Sequence, residues 1–452
     1  MKFLFISSLL FFVTVDSFAQ ISKFSAIASP KYAWLKTDGT AIDAKVFNTY
    51  LDTCTAGTIL MEAKSYLFEG QVKFPSNKTI IGTQGATIFK YKKPMVSGKI
   101  TSLSLVGFMN KNARDNQTIS LQALDSNIVI KGITFLGYSQ NDYTQPTGFA
   151  NTVCIDNAKD VKFIDCTFEK AENDGLVFVY CNNAQAINCV AKYNRKAGFY
   201  WSGCKNSAML NCQSYQNVGR WKEGGGSGMG CDIVSDGFTV TNYQAYQNSG
   251  GGFYATNSKD LSISASNIET FHIGAEDRNM GGTKGCERVA LTACTLKGVV
   301  VIHASSDFTM TGNACFLSGN YGGGLLSFQS VNASLISNNN FEFQQTGQNT
   351  PCFIEFKSLG QGFGTSNDNV FANNLVIDNS GAENYTLLRI EKGSFYNDIR
   401  GNIFSSNFQK KGLMVDDENK ETTGVSDKNN WIANTFKRKN LSYNGITKDG
   451  LE

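Results

Sequence analysis

The segments Ile164-Asp165-Cys166, Ile187-Asn188-Cys189 and Leu210-Asn211-Cys212 present one pattern three times, with the cysteines 23 residues apart. A fixed period of that size is the signature of stacked coils, in which each repeat buries its apolar face only against its neighbours. The frame continues at Val240-Thr241-Asn242-Tyr243 and Ile263-Ser264-Ala265-Ser266, again 23 apart. It then loosens toward Cys294, Asn313, Asn338, Asn374, Asn402 and Asn434, and upstream it reaches Ile133. About a dozen coils therefore cover most of the chain.

Within each period the units are short and alternating. A glycine opens Gly198-Phe199-Tyr200-Trp201-Ser202 and Gly252-Phe253-Tyr254-Ala255-Thr256, a turn follows, and another alternating run such as Phe238-Thr239-Val240-Thr241 comes next. Three short strands per coil fit this rhythm, whereas a helix needs apolar positions three and four apart. Asn188, Asn211 and Asn242 recur at one register, and Asn194, Asn217 and Asn248 six residues later. Asparagine tolerates a left-handed turn, and its amide can bond the coils above and below. The expected fold is an all-β, single-stranded parallel β-helix.

Composition agrees with a long soluble core: 41% of residues are hydrophobic, with 44 Gly and only 5 Pro in 452 residues. The formal charge of +3 gives no electrostatic case for nucleic acid. Residues 1–19 read as a secretory signal: Lys2, an apolar run from Phe3 to Val15, and Ser17-Phe18-Ala19 as the cleavage site. That run is too short to span a membrane, and no later stretch is apolar enough. The expected location is periplasmic or extracellular, where the 12 cysteines have to be weighed as disulfides or free thiols. Cys181 and Cys204 are also 23 apart, and Cys286 holds the same offset before Cys294, so buried columns of free thiols are the expectation. Zinc is disfavoured by the lack of any Cys-x-x-Cys pair and by the presence of only two histidines, His272 and His303.

Ahead of the coils, Thr40 to Thr53 predicts one helix, capped by Thr40, with Ile42, Val46, Tyr50 and Leu51 on one face. It would plug the open end of the core. The predicted layout is a cap over 20–75, the β-helix over 76–440 and a tail over 441–452. Asp38-Gly39-Thr40, this helix, Gly57-Thr58-Ile59-Leu60, Tyr66-Leu67 and Asn77-Lys78-Thr79-Ile80-Ile81-Gly82 resemble the N-terminal cap and first coil of the pectate-lyase-like superfamily. The resemblance implies a right-handed parallel β-helix, and a secreted polysaccharide-cutting enzyme or a tailspike-like protein, monomeric or trimeric. Asn173-Asp174-Gly175 resembles the first acidic motif of polygalacturonases, but no Gly-His-Gly accompanies it. Catalytic residues are therefore not carried over from that family.

Geometry supplies candidates instead. Counting from each strand-opening glycine, odd offsets should face inward: Leu176 and Phe178, Phe199 and Trp201, Cys231 and Ile233, Phe253 and Ala255. Even offsets should face a carbohydrate groove: Tyr200 and Ser202, Asp232, Tyr254 and Thr256, then Glu276 and Arg278 after Gly274, then His303. Farther on, Glu355, Lys357 and Arg389 alternate with apolar residues on the same face. Two glycine-rich insertions flank the groove, one carrying Trp221 and the other following Arg278. Tyr200, Trp221, Glu355, Lys357 and Arg389 are candidate sugar contacts, and Asp232, Tyr254, Glu276, Arg278 and His303 candidate catalytic groups. His272 falls near a predicted turn.

Two mechanisms compete. In hydrolysis Asp232 and Glu276 would serve as acid and base. In β-elimination Arg278 or His303 would neutralise a uronate carboxylate or take the adjacent proton, and Tyr254 would protonate the leaving oxygen. Asp232 and Glu276 would then be free to hold Ca²⁺, the one cofactor the pattern suggests. Cations along the groove of a nearly neutral protein favour an acidic polysaccharide and a lyase. A non-catalytic glycan-binding or adhesion β-helix and a polymer-level epimerase are the other classes.

Overall fold

The computed structural model describes residues 27–28, 41–92, 107–112, 125–137, 151–219, 228–274, 285–319, 324–346, 352–360, 363–380, 386–406, 415–419, 428–437 and 443–444. The signal segment, Thr40, Trp221, Glu276 and Arg278 lie outside these residues. Apart from one helix, the described elements are strands, and every pairing between them is parallel.

One coil shows how the sequence builds the rest. Val153–Asp156, Ala158–Ile164 and Thr167–Glu169 form three successive strands. Each pairs with the strand 23 residues later, Val153 with Leu176, Lys159 with Asn182 and Thr167 with Val190. Three parallel sheets result, here called front, second and third in chain order. Between the second and third sheets a single residue turns the chain: Asp165, Asn188, Asn211 and Asn242 have φ of 55°, 53°, 54° and 52°. Asparagine adopts that left-handed conformation at low cost, and its amide then bonds the neighbouring coil, Asn188 to Asp165 at 3.1 Å and Asn242 to Asn211 at 3.0 Å.

The predicted inward set is buried throughout, with Leu176, Phe178, Phe199, Trp201, Cys231, Ile233, Phe253 and Ala255 in one continuous core. All twelve cysteines are free, and all but Cys54 are buried. The ladder thiols lie within reach of carbonyls on their own and neighbouring coils, as Cys189 donates to Phe163 at 3.4 Å.

The helix starts later than the sequence suggests. It spans Ala44–Thr53, and Asp43 caps it by accepting from the Lys45 amide at 2.9 Å. Its buried face is Ala44, Phe47 and Leu51, whereas Val46 is exposed. The cause is aromatic: Phe47 packs against Phe68 and Phe89 of the first coils, at ring separations of 5.1 and 6.1 Å, and rotates the helix toward them. Strands Thr58–Leu60 and Val72–Phe74 already pair with the next coil. No helix among the described residues is long and apolar enough to cross a membrane.

Candidate functional site

The front sheet carries the polar residues that the core cannot absorb. Its outward column runs, rung by rung, through Val177, Tyr200, Asp232, Tyr254, His272, Val301, Ser327, Glu355 and Arg389. A second column beside it places His303, Gln329 and Lys357 on successive rungs. In chain order, residues 138–150 and 220–227 precede front strands and residues 275–284 follow one. The second-to-third corner has only its one-residue turn.

The rung after Tyr254 differs from the sequence expectation. It is built by Asn267–Gly274, one strand running from the third sheet into the front sheet, and Tyr254 pairs with His272. Gly274 ends this strand rather than opening it. The predicted position of Glu276 and Arg278 on that rung is therefore taken by His272. Both residues follow the strand, outside the described residues. His303 does face outward, one column over from Tyr254. Gly274 makes room for it, because a Cβ there would stand 2.4 Å from the Cβ of His303.

The two histidines of the chain thus meet. Nε2 of His272 lies 3.2 Å from Nδ1 of His303. The ring of Tyr254 sits edge-on to His272, 4.6 Å between centroids. Burial lowers the pKa of His272 to about 3, helped by the charge His303 would carry. Burial likewise lowers His303 to about 4, and the Lys357 ammonium adds to the effect while Glu355 opposes it. Both imidazoles are therefore neutral at neutral pH. Nε2 of His303 is buried and has no hydrogen-bond partner among the described residues.

On the C-terminal side, Glu355 is a fully buried carboxylate. Ser327 donates to it at 2.6 Å, Lys357 pairs with it at 2.8 Å and Arg389 at 3.4 Å. Burial acts to raise its pKa, but the hydrogen bonds from Lys357, Ser327 and the Gly324 amide prevail and hold it below the usual value. Glu355, a candidate sugar contact from the sequence, is thus buried beneath the two cations that it anchors. Lys357 and Arg389 keep 20% and 26% of their side chains exposed, enough to meet a ligand.

On the N-terminal side, Tyr200 is covered by the Lys196 ammonium, 4.7 Å above its ring, and Lys196 also reaches Asp174 at 3.7 Å. Burial first, and Asp232 next, raise the pKa of Tyr200. Asp232 itself is buried between Tyr200 and Tyr254 on adjacent rungs. Among the described residues no three His, Cys, Asp or Glu side chains are grouped to hold a metal ion.

The family model for the right handed beta helix region matches residues 97–235. No curated protein sequence matches the chain. Among solved structures, the chain is similar to a mannuronan C-5 epimerase A-module of Azotobacter vinelandii, at a TM-score of 0.57 and 12% identity, covering 89% of this chain and 96% of that one. It is also similar to the Dettilon tailspike protein, at 0.57 and 13%, covering 87% and 68%. A DFA-IIIase variant of Arthrobacter chlorophenolicus follows at 0.53 and 11%, covering 83% and 94%. Identities this low speak to the fold, and together with the coil pairing they make the chain a right-handed parallel β-helix, consistent with the pectate-lyase-like superfamily that its N-terminal motifs resemble.

Proposed function

We propose that the chain is a secreted enzyme that degrades an acidic polysaccharide by β-elimination on its front sheet. The observation that carries this reading is the contact of the two neutral histidines on the rungs between Tyr254 and the Lys357–Arg389 pair. β-Elimination at a uronate needs a positive charge at the carboxylate, a base for the neighbouring C5 proton and an acid for the leaving C4 oxygen. The imidazoles are suited to the base, Lys357, two rungs beyond His303, to the carboxylate, and Arg389 to the carboxylate of a neighbouring residue of the polymer.

Hydrolysis is less well supported. Its acid and base would be Asp232 and Glu276, and of these only Asp232 lies among the described residues, buried between Tyr200 and Tyr254; an inverting pair works at about 6.5–9.5 Å and a retaining pair at about 5–5.5 Å. Asp232 with Glu276 would hold a Ca²⁺ ion, a second source of positive charge for the substrate, and chelation would separate its contribution from that of Lys357 and Arg389.

The test is to incubate the mature protein with uronate polymers, mannuronan included, and with neutral glycans, following ultraviolet absorbance and reducing ends together. Both rising on a uronate polymer is the expected result. Reducing ends alone would mean hydrolysis, altered polymer composition without cleavage an epimerase, and silence on all of them a binding protein.

A further inference from the structure

The 3.2 Å gap between Nε2 of His272 and Nδ1 of His303 holds one proton when both rings are neutral, because two N–H groups or two lone pairs would repel. Two arrangements satisfy it. If His272 donates, both rings carry their proton on Nε2, and the Nε2–H of His303 becomes a buried donor with no acceptor among the described residues. If His303 donates from Nδ1, its Nε2 is a bare lone pair. The two nitrogens of an imidazole point to opposite sides of the ring, so with Nδ1 on His272 the Nε2 of His303 turns away from that rung. Gln329 and Lys357 follow His303 on the next rungs of its column. A nearby ammonium favours a lone pair over an N–H, and orphaned buried N–H groups are the rarer kind.

We propose that His272 holds His303 in the Nδ1–H tautomer, making Nε2 of His303 the base of the front sheet and His272 its positioning residue. The tautomer stands on the geometry; what the base acts on rests on the lyase reading above. In that reaction the C5–H bond breaks and its proton goes to Nε2 of His303, while the electron pair forms the C4=C5 double bond. The C4–O bond breaks, the leaving oxygen takes a proton from water, and the imidazolium of His303 returns its proton to the hydroxide so formed. No proton or electron is left over. Throughout, Nδ1–H of His303 donates to His272, which orients the ring and supports its transient charge.

With only two histidines in the chain, a long-range proton–nitrogen spectrum of the nitrogen-15-labelled protein reads the tautomers directly and without substrate. Both rings protonated on Nδ1 is the expected result; both protonated on Nε2 would overturn the proposal. His272→Gln keeps an acceptor for Nδ1–H and should preserve the His303 tautomer and most of the turnover. His272→Leu should release the tautomer and lower kcat about 100-fold with KM nearly unchanged. Unaltered kcat and pH profile in His272→Leu would also sink the idea. If the spectrum shows the Nδ1–H tautomers but no polymer is cleaved, the lyase reading fails and the tautomer assignment stands.

Discussion

Two stacks of side chains run along this helix and follow opposite rules. At the corner after the second sheet, Asn313, Asn339, Asn374, Asn402 and Asn434 repeat one residue coil after coil. Each amide nitrogen donates to the next carbonyl oxygen, at 2.9, 3.1, 3.1 and 3.0 Å. On the front sheet Tyr254, His272, Val301, Ser327, Glu355 and Arg389 change identity on every rung. A repeated residue satisfies its own copy and needs nothing from outside. A sheet face of unlike residues leaves groups such as Nε2 of His303, in the adjoining column, without a partner among the described residues, and that is the condition under which a protein can do chemistry on something else.

If the contrast is real, the two stacks break differently. His303→Ala should lower turnover by about 10²–10⁴-fold while the thermal midpoint stays close to that of the parent, checked by product absorbance and calorimetry on one preparation. Asn374→Ala should do the reverse. It strips the acceptor from Asn339 and the donor from Asn402, and each buried group left unmatched costs about 1–3 kcal/mol. Urea denaturation should show the loss, with activity per folded molecule unchanged. Asn434→Ala, at the end of the ladder, removes the acceptor of Asn402 and the donor to the Ile399 carbonyl but leaves no second asparagine unmatched, and should cost less.

How far each stack was legible in the sequence follows from the same contrast. The corner is dictated locally: one left-handed residue followed by one inward side chain, a pair that stays recognisable where insertions elsewhere stretch the spacing, as between Asn339 and Asn374, 35 residues apart. Asn211, Cys212 and their equivalents could therefore be placed at sight. The front sheet could be read only while the period held. Tyr200, Asp232 and Tyr254 fall in register as counted, but the next coil is 18 residues long, Tyr254 to His272, because a single left-handed residue, Thr270, joins its third-sheet and front segments. The glycine frame slipped there, pointing to Glu276 and Arg278 and passing over His272. The alternation Phe271-His272-Ile273, matching Phe253-Tyr254-Ala255, was the signal that could have found it. Glu355 was placed on the correct face, but alternation says nothing about whether neighbours close over a side chain.

A third test sharpens the comparison through protons. Unfolded, each histidine takes up a proton near pH 6.5; folded, His272 and His303 do so only near 3 and 4. Between those limits the unfolded chain binds more protons, so stability falls as pH drops from about 6.5 toward 4. Among the described residues the groups that bear on the pair are Tyr254, Lys357 and Glu355, and of these only the carboxylate titrates in the acid range, below its usual value. Replacing both histidines by Gln should flatten the slope of stability against pH over that window. The matching exchange of Asn313 for Gln should leave the slope intact.

The smallest effect is expected where the corner stack changes residue type. In the N-terminal coils the place of the asparagines is held by Cys166, Cys189 and Cys212, whose thiols donate to carbonyls 3.3–3.4 Å away, the shorter of the two bonds in each case. Such weak donors fill space more than they bond. Cys189→Ala should therefore cost only about 1 kcal/mol, the scale of a small buried truncation, against the larger loss at Asn374. Burial holds the Cys166 and Cys189 thiols well above their usual pKa, so little thiolate is available to oxidise or exchange. Reducing agent should leave the thermal midpoint unmoved, and a thiol reagent applied to the native protein should label Cys54, the one cysteine not buried, ahead of the others. A midpoint that drops on reduction would mean that neighbouring rungs are cross-linked, and that this stack, like the asparagines, bears stability through specific bonds rather than through packing.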